Sequence, residues 1–170
     1  IFVIILSSAI TLKSSSYLKN SMTFWDRVVS ENKENSIYVI SYYIDVLMNN
    51  NRIKQAFDYA NHYAKESNYE HIELLYQIGK IYLLNEDYEN ASKYFDIVYS
   101  RNSKKQLELY LLSYLANVRA NNKEKSNFYY NLALKATNLT PEEFEEQFVI
   151  YGRNFDKAIE ETKLQTAAGN

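Results

Sequence analysis

Residues 74–102 read LLYQIGKIYLLNEDYENASKYFDIVYSRN, and two helices can be read in them. Apolar residues recur at three- and four-residue spacing on either side of the polar stretch Asn85-Glu86-Asp87, which reads as a turn. The positions Leu75, Ile78-Gly79, Tyr82, Ala91, Phe95 and Val98 make sense as packing. Gly79 and Ala91 stand where two antiparallel helices come closest, so a large residue at either place would force them apart. Phe95, four residues after Ala91, fills the gap to whatever follows.

The same pattern recurs outward in both directions. Ser21, Ala56, Ala91 and Ser126 lie 35 residues apart. Four residues on from them come Trp25, Ala60, Phe95 and Tyr130, and three further Val28, Tyr63, Val98 and Ala133. Twelve residues before the small position lie Ala9, Ile44, Gly79 and Tyr114, and sixteen before it Ile5, Ile40, Leu75 and Tyr110. A fixed period of this length is the mark of a repeat architecture. The columns resemble those of the tetratricopeptide repeat family over roughly residues 37–138, with the middle copy the full match. The resemblance implies an all-α fold, a right-handed α-solenoid of antiparallel helix pairs. It holds about three repeats (37–70, 72–105, 107–138) after a partial one (16–35). Ile44 and Tyr114, large residues in the glycine column, are expected to widen their pairs. Asn49-Asn50-Asn51 and Asn121-Asn122-Lys123 repeat the turn.

Composition agrees. Three glycines and one proline are too few for the turns of a β-rich domain, so long helices joined by short polar turns are expected. The 17 tyrosines read as rings buried with hydroxyls near water, or more sharply as a Tyr-lined groove. A net charge of −2 without a basic stripe excludes a nucleic-acid footprint, and Lys104-Lys105 and Lys123-Glu124-Lys125 read as turn charges. No cysteine is present, so disulfides and thiolate metal sites are excluded. Asn90-Ala91-Ser92 should lie inside a packed helix and Asn138-Leu139-Thr140 precedes proline, so neither is read as a glycosylation site.

The two ends differ from the middle. Residues 1–12, IFVIILSSAITL, carry no charge but are shorter than the ~20 residues that span a bilayer. They read as the tail of a membrane helix, as a signal-peptide core, or as the first helix of the partial repeat; a membrane tether is favoured over a freely soluble chain. At the other end, Thr140-Pro141-Glu142-Glu143 is a helix start, with Thr as cap and Pro at the first position. Phe144, Phe148 and Tyr151 follow at helical spacing, Gly152-Arg153-Asn154 is expected to break the helix, and 155–165 to form a last polar one. Residues 139–170 are thus expected to be capping helices.

Catalysis and cofactors find no support in the residues. His62 and His71 stand nine apart without a second ligand at helical spacing, no phosphate loop occurs, and no serine has a His and Asp constellation. A protein-interaction module is expected, binding a peptide or protein on the concave face made by the first helix of each repeat. Its expected contact residues are Tyr38, Asp45, Met48, Glu73, Tyr76, Lys80, Glu108 and Arg119, with Ser41, Asn49, Leu83, Leu111 and Leu115 beside them. Chaperone-tail-binding members of the family hold a carboxylate in a clamp of Lys, Asn and Arg. Here those columns carry Ser41, Asp45, Gln77, Glu108 and Leu112, and Glu108 would repel a carboxylate. A narrower resemblance, carried by YLKNSMTFWDRVVSENKENS after the apolar start, is to multi-pass membrane proteins with a C-terminal tetratricopeptide region. Glycosyltransferases and O-antigen ligases are among them, and it would make this chain the recognition appendage of such an enzyme. A third alternative is an exported protein that self-associates through residues 1–12.

Overall fold

The computed structural model describes residues 15–31, 36–101 and 107–168, the side chains of 15–21, 162 and 165–168 excepted. The described residues form eight helices and no strand: α1 (Ser15–Glu31), α2 (Ile37–Asn49), α3 (Ile53–Glu66), α4 (Ile72–Leu84), α5 (Tyr88–Arg101), α6 (Leu107–Arg119), α7 (Lys123–Thr137) and α8 (Pro141–Ala168). From α1 to α7 each helix packs on the next in sequence, and α2 also packs on α4. The apolar stretch 1–12 and the Lys104-Lys105 pair lie outside the described residues. No helix among those described is long and apolar enough to cross a membrane.

The 35-residue period is written into the backbone as well as the side chains. Asn51, Glu86 and Asn121 each take the left-handed conformation, with φ of 61°, 60° and 55°. The next residue then reaches back to close the helix just ended: the N–H groups of Arg52, Asp87 and Asn122 donate to the carbonyls of Leu47, Tyr82 and Asn117 at 2.8, 2.9 and 2.9 Å. This is a Schellman closure, which satisfies carbonyls that a helix end would otherwise leave bare. Asparagine tolerates the left-handed region better than most other non-glycine residues, which is why Asn51 and Asn121 can end α2 and α6 without glycine; Glu86 takes the same conformation at the end of α4. Asp87 and Asn122 then open the following helix, their side chains accepting from the Asn90 and Lys125 N–H groups, each at 3.2 Å. Asn68 and Asn138, two periods apart, take the same conformation at the second turn (φ 49° and 57°).

Inside the pairs, the size of the facing residues decides the approach. A Cβ placed on Gly79 would lie 2.7 Å from the Phe95 ring, which is itself fully buried. In α2–α3 the sizes are exchanged: Ile44 and Ala60, both 0% exposed, occupy the columns of Gly79 and Phe95. That pair comes close over less of its length than α4–α5, as expected of Ile44. The corresponding expectation for Tyr114 does not hold, since α6–α7 is as closely packed as α4–α5. The Tyr114 ring meets Tyr130 of α7 edge-on at 5.5 Å and also packs against Phe148 of α8 at 4.4 Å, so it is shared between the pair and α8.

Polar links tie one pair to the next. Ser92 on α5 donates to Asn117 on α6 at 2.9 Å, with both residues buried. Tyr129 on α7, 2% exposed, donates to Asp96 on α5 at 2.7 Å, and Lys125 holds the other carboxylate oxygen. Asp96→Ala leaves that hydroxyl and that ammonium without their acceptor, so it is expected to lower unfolding free energy by about 2 kcal/mol. Tyr129→Phe, which keeps the Lys125 pair, should cost about half as much. Urea titrations of the two variants check this, and equal losses would mean that the Lys125 ion pair contributes nothing beyond the Tyr129 hydrogen bond.

The end of the chain corrects the expected break. Gly152-Arg153-Asn154 does not interrupt the helix, and α8 runs unbroken from Pro141 to Ala168. It starts as anticipated: the Thr140 N–H donates to the Glu143 carboxylate at 2.9 Å and the Glu143 N–H to the Thr140 hydroxyl at 3.3 Å. A glycine inside a helix costs about 1 kcal/mol. Phe144, Phe148, Tyr151, Phe155 and Ile159 form one stripe spanning that glycine, and Phe144 and Ile159 are 2% and 3% exposed. Burying each such side chain gains about 1.5–3 kcal/mol, so packing carries the helix through.

Candidate functional site

The first helices α2, α4 and α6 bring most of the expected contact residues together, and the face they form has two halves. On the α2–α4 half, Asp45 is the centre. Its two carboxylate oxygens accept from Lys80 at 2.6 Å and from Gln77 at 2.8 Å. Gln77, 4% exposed, also donates toward the Ser41 hydroxyl at 3.2 Å. The Lys80 ammonium lies 5.7 Å from the centre of the Tyr76 ring. Ser41, Asp45 and Gln77 are thus bound to one another. Beyond them the half is open. Tyr38 is 72% exposed and Tyr42 54%, and Tyr42 packs on Trp25 of α1, with ring centres 4.7 Å apart. Asn49 is exposed and Glu73 half-buried.

Met48 is a correction. It is buried in the core around α2 and α3 and cannot meet a partner. Leu83, Leu111 and Leu115 are buried as well. A period of 3.6 residues marks the apolar side of a helix but does not tell which part of it faces a groove.

The α4–α6 half is covered by α8, which sequence reasoning did not foresee. Phe148, Tyr151 and Phe155 pack against the cluster that includes Leu75, Leu83, Leu109, Leu112 and Leu115. One Arg119 guanidinium nitrogen lies 2.6 and 2.8 Å from the two Asp156 oxygens, and Lys163 pairs with Glu86 at 2.5 Å. Arg119 is therefore engaged by the chain itself. Burial, and then the Glu108 carboxylate, push the Tyr76 and Tyr151 hydroxyls well above the usual tyrosine range. The Tyr76 hydroxyl is shut from solvent and faces the Glu108 carboxylate. A small apolar cavity lies under the start of α8, lined by Leu111, Leu139, Phe144, Phe148 and Tyr151 among others. The signal for this arrangement was present: the ring spacing of Phe144, Phe148 and Tyr151 continues through Phe155 and Ile159.

Elsewhere the titratable groups are dispersed. His62 is exposed with its Nε2 3.4 Å from Glu66, and His71 is exposed at the start of α4. Among the described residues no group of three or more His, Cys, Asp or Glu stands close enough to hold a metal. No protein-family model matches the chain, and comparison with curated proteins and with solved structures finds no match either.

Proposed function

We propose that this chain is a tetratricopeptide-like module whose helix pairs wind as a right-handed solenoid, and that it binds a protein or peptide on its first-helix face without catalysing a reaction. The observation that carries the reading is the double recurrence of 35 residues: packing columns in the side chains, and left-handed Asn51, Glu86 and Asn121 in the backbone. Identical turns between similar helix pairs repeat one rotation, and a repeated rotation makes a superhelix with an extended inner surface. The open α2–α4 half is the place for a partner. Tyr38 and Tyr42 offer rigid amphipathic rings, and the Asp45–Lys80 pair beside them sets a polar rim.

A photo-crosslinking residue at Asn49, on the same side of α2, tests this in native cells. It is expected to trap one partner that the same probe at Phe128, exposed on α7, does not trap. Tyr38→Ala with Tyr42→Ala should lower the Asn49 yield about tenfold while leaving the helical circular dichroism unchanged, since both rings are exposed. Equal trapping from Asn49 and Phe128, or a yield indifferent to the two tyrosines, would rule the face out.

A further inference from the structure

α8 lies on the α4–α6 half as a bound ligand would. Its backbone makes none of the extended close approaches that join α1 to α7, and its rings and long charged side chains make the contact. The contact has a readable code. Phe148, Tyr151 and Phe155 form a ladder at helical spacing, Asp156 follows directly after the last ring to meet Arg119, and Lys163 meets Glu86. The two ion pairs are opposite in sense, so a helix reversed on the face would set like charges together. A small apolar cavity lies at the edge of the seat, under Phe144 and Phe148 and against Leu111 and Leu139, where α8 meets α6 and the turn after α7.

We propose that the α4–α6 half is a receptor for an amphipathic helix of a partner protein, and that α8 fills it in cis until such a helix competes. The partner helix carries aromatic residues at the spacing of Phe148, Tyr151 and Phe155, with a carboxylate directly after the last. This rests on the proposed function and names the partner's chemistry at the same face. Occupancy by α8 lowers the apparent affinity for any competitor by the fraction of time the seat is filled. Loosening α8 therefore strengthens binding in trans, the reverse of what damage to an ordinary binding surface does.

The probe is a fluorescein-labelled synthetic peptide of residues 141–164, titrated by anisotropy against the full chain. Phe148→Ala with Phe155→Ala in the chain should bind it at least tenfold more tightly than wild type does. Adding Arg119→Glu should abolish that gain, and a peptide carrying Asp156→Arg should restore it. Asp156→Lys in the chain alone, at an exposed position, gives the same direction of change without altering the ring packing. Equal binding by wild type and both loosened variants would overturn the proposal, as would binding indifferent to the sign at residue 119. Sedimentation showing a wild-type dimer that the peptide dissolves would also overturn it, because the occupant would then be α8 of a second copy. Crosslinking from Asn49 that persists while peptide binding fails sinks the receptor and leaves the module standing; loss of both sinks the module.

Discussion

Gly79→Ile and Phe95→Ala are each expected to destabilise the protein by about 3 kcal/mol or more, whereas the two together should cost far less than their sum. The first drives a side chain into a ring that cannot move, since even a bare Cβ would lie 2.7 Å from Phe95 and that ring is fully buried. The second leaves a ring-sized void between α4 and α5. Combined, they recreate the arrangement that α2 and α3 already use, with Ile44 opposite Ala60. The double variant should lie within about 2–3 kcal/mol of wild type, which requires a coupling of about 3 kcal/mol between the two sites. Urea denaturation of the four members of the cycle measures it. Additive losses would mean that the sizes at these columns do not compensate, and that the exchange between the pairs has no bearing on their packing.

Alkali is expected to unfold the protein between about pH 10 and 12, with tyrosine ionisation and helix loss as one event. Burial, and then its hydrogen bond to Asp26 at 2.6 Å, push the Tyr43 hydroxyl up to about 12. Burial raises Tyr129, Tyr76 and Tyr151 as well, aided by Asp96 at the first and by Glu108 at the other two. In every case the folded value lies above that of the unfolded chain, about 10. The stabilisation these neutral hydroxyls give is therefore complete below pH 10 and withdrawn as pH climbs through that value toward the folded one. Absorbance at 295 nm and circular dichroism followed together decide the matter. Tyr43, Tyr76, Tyr129 and Tyr151 should ionise only as the helices are lost. Tyrosine absorbance that rises to completion while the helices stay intact would show that these four hydroxyls are not desolvated as the structure has them.

The expected first-helix face was partly legible. The 35-residue register puts Asp45 on α2 and Lys80 on α4 at equivalent positions, and the two form an ion pair. Met48 was misplaced because burial at the edge of an apolar stripe depends on which neighbour arrives. The pairing of Asp45 with Lys80 and Gln77 joins residues more than 30 apart, a separation at which no local pattern speaks. The exchange of sizes between Ile44/Ala60 and Gly79/Phe95 could have been read from the columns themselves, since both members of each pair stand in register.

The sequence by itself determined the helices α2 to α7, their turns and their order. Those are local matters: apolar spacing makes a helix, a polar residue in the left-handed conformation ends it (Asn51, Glu86 and Asn121), and a short polar turn leaves the next helix no place but alongside. Only the tertiary structure decided that α8 runs unbroken through Gly152 and covers Arg119 and Tyr76. The glycine's cost is about 1 kcal/mol and is present in the isolated segment. The burial of Phe148, Tyr151 and Phe155 that outweighs it exists only once α4 and α6 have made the surface on which those rings rest.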